Sequence, residues 1–196
     1  MADDSPPSQR ILLVTGLSGA GKSTALQVLE DLGWETIDNF PIRLLGGLVA
    51  GSDANTRLAI GFDSRTRGFV PQEIIALCKQ FEARDDIELT TLFIDCTSAE
   101  LERRYNETRR PHPMARGRTA LDGIKSEREL LDPLRRWSDT VIDTSDYAAN
   151  QLQQVVRERF AENAEPGMSV TVSSFGFARG MPPLADLMFD MRFLDN

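Results

Sequence analysis

A chain of 196 residues can hold one α/β domain with a full core and at most the start of a second. Its formal charge of −8 argues against a general nucleic-acid binder, because non-specific affinity comes from an extended basic surface that neutralises phosphates. No apolar run reaches the length of a membrane span, and the acidic opening MADDSPPSQR is unlike the basic start of a signal peptide.

Residues 1–9 are polar and proline-bearing and are expected to be disordered. From there the chain alternates short β-branched runs with amphipathic segments, the pattern of a parallel sheet covered by helices. Five runs read as strands: ILLVT from Ile11, ETID from Glu35, RLAIGFD from Arg57, LTTLFIDC from Leu89 and TVIDTS from Thr140. The segment from Ser23 to Leu32 places Ala25, Leu26, Leu29 and Leu32 on one helical face, with Gly33 as its stop. Further helices are expected over 72–83, from Thr97 to about Thr108, over 121–137 and over 147–161. Thr97 and Glu100 have capping-box spacing, and Pro133 is expected to kink or break its helix.

Residues 10–163 are therefore expected to form a three-layer α/β domain around a parallel sheet of about five strands. Residues 164–168, within NAEPGM, read as a linker, and 169–196 as the start of a C-terminal domain present only in part. A docked extension of the first domain is the alternative. Cys78 and Cys96 stand in apolar surroundings without metal-ligand spacing and read as buried thiols, pointing to a soluble protein of the cytoplasm.

The sharpest signal is GLSGAGKS, residues 16–23, which meets every fixed position of G-x-x-x-x-G-K-[ST] between a strand and a helix. The chemistry dictates the spacing. Gly16, Gly19 and Gly21 let backbone N–H groups turn toward phosphates, together with those of Leu17, Ser18 and Ala20, and the following helix offers its positive end. Lys22 is placed to reach the β- and γ-phosphates and Ser23 to complete the coordination of Mg²⁺, with Thr24 as the alternative hydroxyl.

A phosphate-loop protein also needs a carboxylate at the end of a neighbouring strand for the metal's water shell. Asp38, Asp63, Asp95 and Asp143 all stand at strand ends. Asp63 is favoured, because its strand is expected beside the loop strand and Ser64, Arg65 and Thr66 follow it, all able to contact phosphate or base. Asp38, in DNFP, is the second candidate, as acceptor-binding base or metal-shell residue; a turn and helix cap is its plainer reading. For Asp95 and Asp143 the capping role is preferred.

Six of nineteen arginines and the single histidine fall within residues 103–118. Arg109 and Arg110, before Pro111, are read as a mobile lid that places guanidinium groups on a developing phosphoryl charge. Arg103 and Arg104 stand at helical spacing from Glu100 and Glu107, so an ion-paired solvated face competes there with phosphate binding. His112, between two prolines, reads as structural or as a minor contact.

The ordered series GLSGAGKSTAL, DNFP, GFDSRTR, RRYNETRRPHP and VIDTSD, followed by VSSFGFARGMPPLADLMFDMRFLDN, resembles the RapZ/YvcJ family of bacterial P-loop nucleotide-binding proteins. The resemblance runs from Arg10 to the last residue. It implies ATPase and GTPase activity, residues 16–23 as the ATP loop and 63–66 as a GTP-contacting segment. It also implies, for the full-length protein, an RNase adapter that binds small RNA and senses an amino-sugar phosphate. The expected function is a slowly hydrolysing switch, with a homo-oligomer left open. The alternatives are a small-molecule kinase and an RNA-binding adapter without turnover.

Overall fold

The computed structural model describes residues 9–51, 56–161 and 189. The expectations for residues 1–8, for the linker and for 169–196 lie outside the described residues, apart from Phe189.

Eight residues, Gln9–Gly16, form β1, with Ile11, Leu12, Leu13 and Val14 at 1% exposure or less. A strand apolar on both faces has to be central, with helices on either side. The order β2-β3-β1-β4-β5 satisfies this, with β2 Glu35–Ile37, β3 Arg57–Gly61, β4 Ile87–Asp95 and β5 Thr140–Asp143, every pair parallel. Gln9, expected in the disordered start, already pairs with Ile87.

Right-handed crossovers fix where the helices go. The chain runs from β1 outward to β2 through α1 (Lys22–Asp31), and from β3 back past β1 to β4 through α3 (Pro71–Glu82). These crossovers travel in opposite directions, so α1 and α3 cover opposite faces. α6 (Ala149–Phe160) packs with α1, while α4 (Ser98–Thr108) and α3 pack with α5 (Ala120–Trp137). The direction of travel reverses at β1, and in open α/β sheets ligands bind beyond the carboxyl ends of the strands at such a reversal.

Three local expectations need correction. α5 runs unbroken through Pro133. A proline removes one backbone hydrogen bond, but buried Leu131 and Leu134, and the ion pairs of Arg128 and Arg135 with Asp95, hold both sides of it. No capping box forms at Thr97: its side chain makes no cap, its N–H donates to Ser145 Oγ at 2.8 Å, and the Glu100 carboxylate is engaged by Arg103 and Arg104. The capping box stands at α5, where Thr119 Oγ1 accepts from the Asp122 N–H at 3.2 Å and Asp122 Oδ2 accepts from the Thr119 N–H at 3.2 Å. A 3-10 turn, Ile42–Leu44, and a short α2, Leu45–Gly51, were not among the expected helices, although the plainer reading of DNFP puts a helix start after it; three glycines in LGGLVAG mask their apolar period.

Two glycines give opposite expectations for alanine. At Gly47 in α2 an added Cβ meets nothing within 4 Å, so Gly47→Ala should stabilise by about 0.5–1 kcal/mol through helix propensity. At Gly16, with φ +152°, a Cβ would lie 2.2 Å from the Ile94 carbonyl oxygen, so Gly16→Ala should cost at least about 1–3 kcal/mol. Urea midpoints of both variants check the pair; equal effects would refute the close approach of β1 and β4.

Candidate active site

The glycine-rich loop leaves β1 at Gly16 and enters α1 at Lys22. Its apolar members face inward: Leu17 and Ala20 are buried, the Leu17 N–H donates to Ile94 O at 3.1 Å, and the Ala20 N–H donates to Leu17 O at 3.0 Å. With the Ser18 N–H donated to Glu127 at 2.9 Å, the N–H groups of Leu17, Ser18 and Ala20, expected to turn toward phosphates, are instead bonded within the protein, because the loop's own packing claims them. Two of its carbonyls are satisfied from outside. Thr144 Oγ1 donates to Ala20 O at 2.8 Å and Arg104 Nη1 to Gly19 O at 3.1 Å. The first i to i−4 bond of α1 runs from Ala25 to Gly21 O, so the N–H groups of Lys22, Ser23 and Thr24 have no intrahelical acceptor. Gly21, at φ +118°, lies so close to α6 that a Cβ would come 2.5 Å from Leu152.

Lys22, only 8% exposed, sits between two carboxylates. Its Nζ pairs with Asp38 Oδ1 and lies 3.5 Å from Asp63 Oδ2. The two candidates drawn from different strand ends therefore meet at one lysine. Asp63 is 1% exposed, and Arg65 grips it with Nη2 at 2.6 Å from Oδ2, Nε at 3.1 Å from Oδ1, and its own N–H at 2.9 Å from Oδ1. Burial pushes the Asp63 carboxyl up, but the Arg65 hydrogen bonds and the Lys22 charge together hold it below the usual aspartate range. The Asp63 N–H donates to Thr66 Oγ1 at 3.1 Å, and that hydroxyl donates to Asn39 Oδ1 at 3.0 Å, tying the two strand ends together. Asp38 is exposed and reaches over Gly61, where a Cβ would lie 2.7 Å from Asp38 Oδ1.

On the other side of the loop stands Glu127 of α5, at 0% exposure. Its Oε1 accepts from the hydroxyls of Ser18 at 2.7 Å and Ser64 at 2.6 Å. Its Oε2 accepts from the Ser18 N–H at 2.9 Å and faces His112 Nε2 at 3.2 Å. Burial raises the Glu127 carboxyl, yet the bonds from His112, Ser64 and Ser18 leave it below the ordinary glutamate value. Tyr105 lines the same region, edge-on to His112 with ring centroids 4.9 Å apart, and burial pushes its hydroxyl up to about 12.

The arginine-rich stretch divides. Arg103 pairs with Glu100 at 2.7 Å and with Glu107 on an exposed face. Arg104 pairs with Glu100 at 2.8 Å and reaches the loop at Gly19 O and the Thr144 carbonyl at 2.7 Å. Arg109, at φ +53°, closes α4 as a left-handed cap, and both it and Arg110 are exposed. Ser23 is exposed in the first turn of α1. Asp95 is locked by Arg128 and Arg135, and Asp143 accepts from the Ser145 N–H at 2.9 Å, a turn role. The gathered set is thus residues 16–23 with Asp38, Asp63, Ser64, Arg65, Thr66 and Arg104. Glu127, Asn39, Tyr105 and Thr144 belong to it although sequence reasoning did not single them out.

Residues 9–164 match the RapZ-like N-terminal domain, and residues 168–196 match the RapZ C-terminal domain. The chain belongs to the RapZ-like family. Among its relatives, a "Nucleotide-binding protein" of Erythrobacter litoralis is 72% identical over 189 residues, which are 95% of this chain and 63% of that protein. Another from Novosphingobium aromaticivorans is 58% identical over 202 residues, covering 100% of this chain and 66% of the relative. The chain therefore spans somewhat under two thirds of these relatives. The fold is that of P-loop kinases: shikimate kinase from Acinetobacter baumannii superposes with a TM-score of 0.51 at 19% identity, over 82% of this chain and 97% of that one.

Asp63 gives a pH test. Its depressed value means that the ionised carboxylate contributes stability at pH above the ordinary aspartate value near ~3.9, and that this is lost as pH falls through the folded value. Asp63→Asn should therefore cost about 1–3 kcal/mol at pH 7, with the gap to wild type closing below pH ~4. Urea unfolding between pH 7 and pH 3 measures it, and a gap independent of pH would contradict the ion-pair account.

Proposed function

We propose that this chain binds a nucleoside triphosphate, ATP or GTP, in the 16–23 loop and hydrolyses it slowly, as the nucleotide-dependent switch of a RapZ-like protein. The observation that carries the reading is the loop itself: two of its carbonyls are tied outward by Thr144 and Arg104, and Lys22 stands at its mouth. The start of α1, where the N–H groups of Lys22, Ser23 and Thr24 have no intrahelical acceptor, together with the Lys22 ammonium, offers what a polyphosphate requires. The name "Nucleotide-binding protein" carried by relatives as much as 72% identical supports it.

In this reading Gly16, Leu17, Ser18, Gly19, Ala20 and Gly21 shape the cradle, Lys22 neutralises the terminal phosphates, and Ser64 to Thr66 border them. Among the described residues no group of three or more His, Cys, Asp and Glu could hold a metal alone. That fits Mg²⁺, which takes one or two protein oxygens and leaves the rest to phosphate and water. Ser23 and the carboxylate of Asp63 or Asp38 would hold it, and it would supply charge neutralisation at the phosphoryl oxygens. Asp38, exposed and engaged through Oδ1, has the freer carboxylate; Asp63 is already held at both oxygens by Arg65. Arg109 and Arg110 act as the lid whose charge is needed during transfer. Small RNA, an RNase partner and self-association belong, on this proposal, to the full-length protein.

A second reading, a small-molecule kinase, is favoured by one feature. The exposed Asp38 carboxylate beside Lys22 stands where a base would take a proton from an acceptor hydroxyl.

Phosphate release from Mg·ATP and Mg·GTP, with and without a small-metabolite extract, separates the readings. The switch gives slow release indifferent to the extract, while the kinase gives strong stimulation and a phosphorylated product. Lys22→Ala should weaken triphosphate binding at least about tenfold, since a charge-assisted bond contributes about 1.5–3 kcal/mol. Wild-type affinity in that variant would refute the site. Arg109→Ala with Arg110→Ala should lower turnover more than ADP affinity, and unchanged turnover would remove the lid.

A further inference from the structure

Glu127 occupies a position of α5 where the helical period calls for an apolar residue, between Ile124 and Leu131 on the face turned inward. A carboxylate with no exposed surface is costly, and it persists only where every lone pair is answered. All its donors here are neutral. Ser18 gives its N–H and hydroxyl, Ser64 its hydroxyl and His112 its Nε2–H. The tautomer follows from the other ring nitrogen: Nδ1 accepts the Met114 N–H at 3.2 Å, which leaves the proton on Nε2.

These donors come from three separate segments. Ser18 belongs to the phosphate loop, Ser64 to the turn after Asp63, and His112 to the stretch that follows Arg109 and Arg110. Ser64 and His112 bind opposite oxygens of the one carboxylate, while Ser18 binds both. The contact is built into the backbone as well. Gly123 on α5 lies where a Cβ would come 2.5 Å from His112 Nδ1 and 2.8 Å from the Ala115 nitrogen, so the segment is pressed against the helix.

We propose that Glu127 is a positioning residue for the phosphate loop, coupling it through Ser18 to the Asp63–Thr66 turn and to the His112 segment, so that a change at either alters how the loop holds a triphosphate. This deepens the nucleotide reading and rests on it. The one carboxylate joins all three segments. The carboxylate touches no phosphate in this scheme; it sets the orientation of Ser18, and the N–H groups of Lys22, Ser23 and Thr24 at the start of α1, which have no intrahelical acceptor, are left for the ligand.

A double-mutant cycle on the whole chain tests the coupling, with KM and kcat for Mg·ATP as readouts and Lys22→Ala as the control. Ser64→Ala should raise KM about threefold or more in the wild-type background and by less than about twofold when Glu127→Gln is already present, because coupled residues are non-additive. Effects that multiply in full would overturn the proposal, as a purely structural role for Glu127 predicts. If Glu127→Gln does not fold, Ser64→Ala combined with His112→Gln serves instead. Those two side chains bond to different oxygens, so non-additivity between them must pass through Glu127, and full additivity counts against it. Should wild type and Lys22→Ala both fail to engage Mg·ATP, the nucleotide reading falls and the coupling with it. If only the cycle proves additive, the coupling falls alone.

Discussion

A tight loop has to find partners for its backbone groups, and here the N–H groups of Leu17, Ser18 and Ala20 and the carbonyls of Gly19 and Ala20 are all answered by protein atoms. In this protein that constraint is met from remote parts of the chain. Thr144, just past β5, answers Ala20 O, Arg104 on α4 answers Gly19 O, and β4 supplies the Ile94 carbonyl that receives the Leu17 N–H. The loop is eight residues long, but its shape is a property of the whole sheet. Parallel β4 beside β1, and β5 beside β4, bring positions 94, 104 and 144 within reach of positions 17 to 20. Gly16 is needed because β1 and β4 run so close there that no side chain fits.

Charge follows the same logic of local closure. The chain is acidic overall, yet the site collects Lys22, Arg65 and Arg104 among Asp38, Asp63, Glu100 and Glu127. Lys22 faces two carboxylates, so the immediate cluster of lysine and acids carries a net negative charge before Arg65 is counted. A triphosphate brought to that point adds several more negative charges at short range. On the proposed function, a divalent cation arriving with the nucleotide is then an electrostatic requirement, and the lysine by itself does not suffice.

The sheet was readable because its central strands β1 and β3 and the second half of β4 are buried on both faces and announce themselves as continuous apolar runs, while the edge strands β2 and β5 are only half-buried; all five stand where they were expected. The phosphate loop was readable because glycine spacing is a backbone requirement and leaves a mark in sequence. Pairings between distant side chains leave no such mark. Asp38 and Asp63 were both candidates, but nothing in sequence says that they converge on Lys22. Glu127 lies in KSEREL, which reads as a solvated helix face. One signal was present: Glu127 is three residues from Ile124 and four from Leu131, so a carboxylate interrupts the apolar stripe of an amphipathic helix. Thr97 shows the reverse error, where the spacing is right but the Glu100 carboxylate is engaged by two arginines and the Thr97 N–H by Ser145.

The arginine concentration between residues 103 and 118 is then not one patch with one purpose. Arg103 is spent on helix-surface pairs, whose energy is small and screened. Arg104, one residue on and turned inward, is part of the loop's scaffold, so its removal would leave the Gly19 and Thr144 carbonyls without their guanidinium donor. Arg109 and Arg110 end α4 in the open, and two residues later the chain dives to full burial at His112. A segment fixed at that histidine by Glu127 and at its helix by Arg104 can move only between those anchors. On the proposed lid, an approach of Arg109 or Arg110 to a nucleotide would be a local swing about α4's left-handed cap, next to the segment whose His112 meets the carboxylate that holds Ser18.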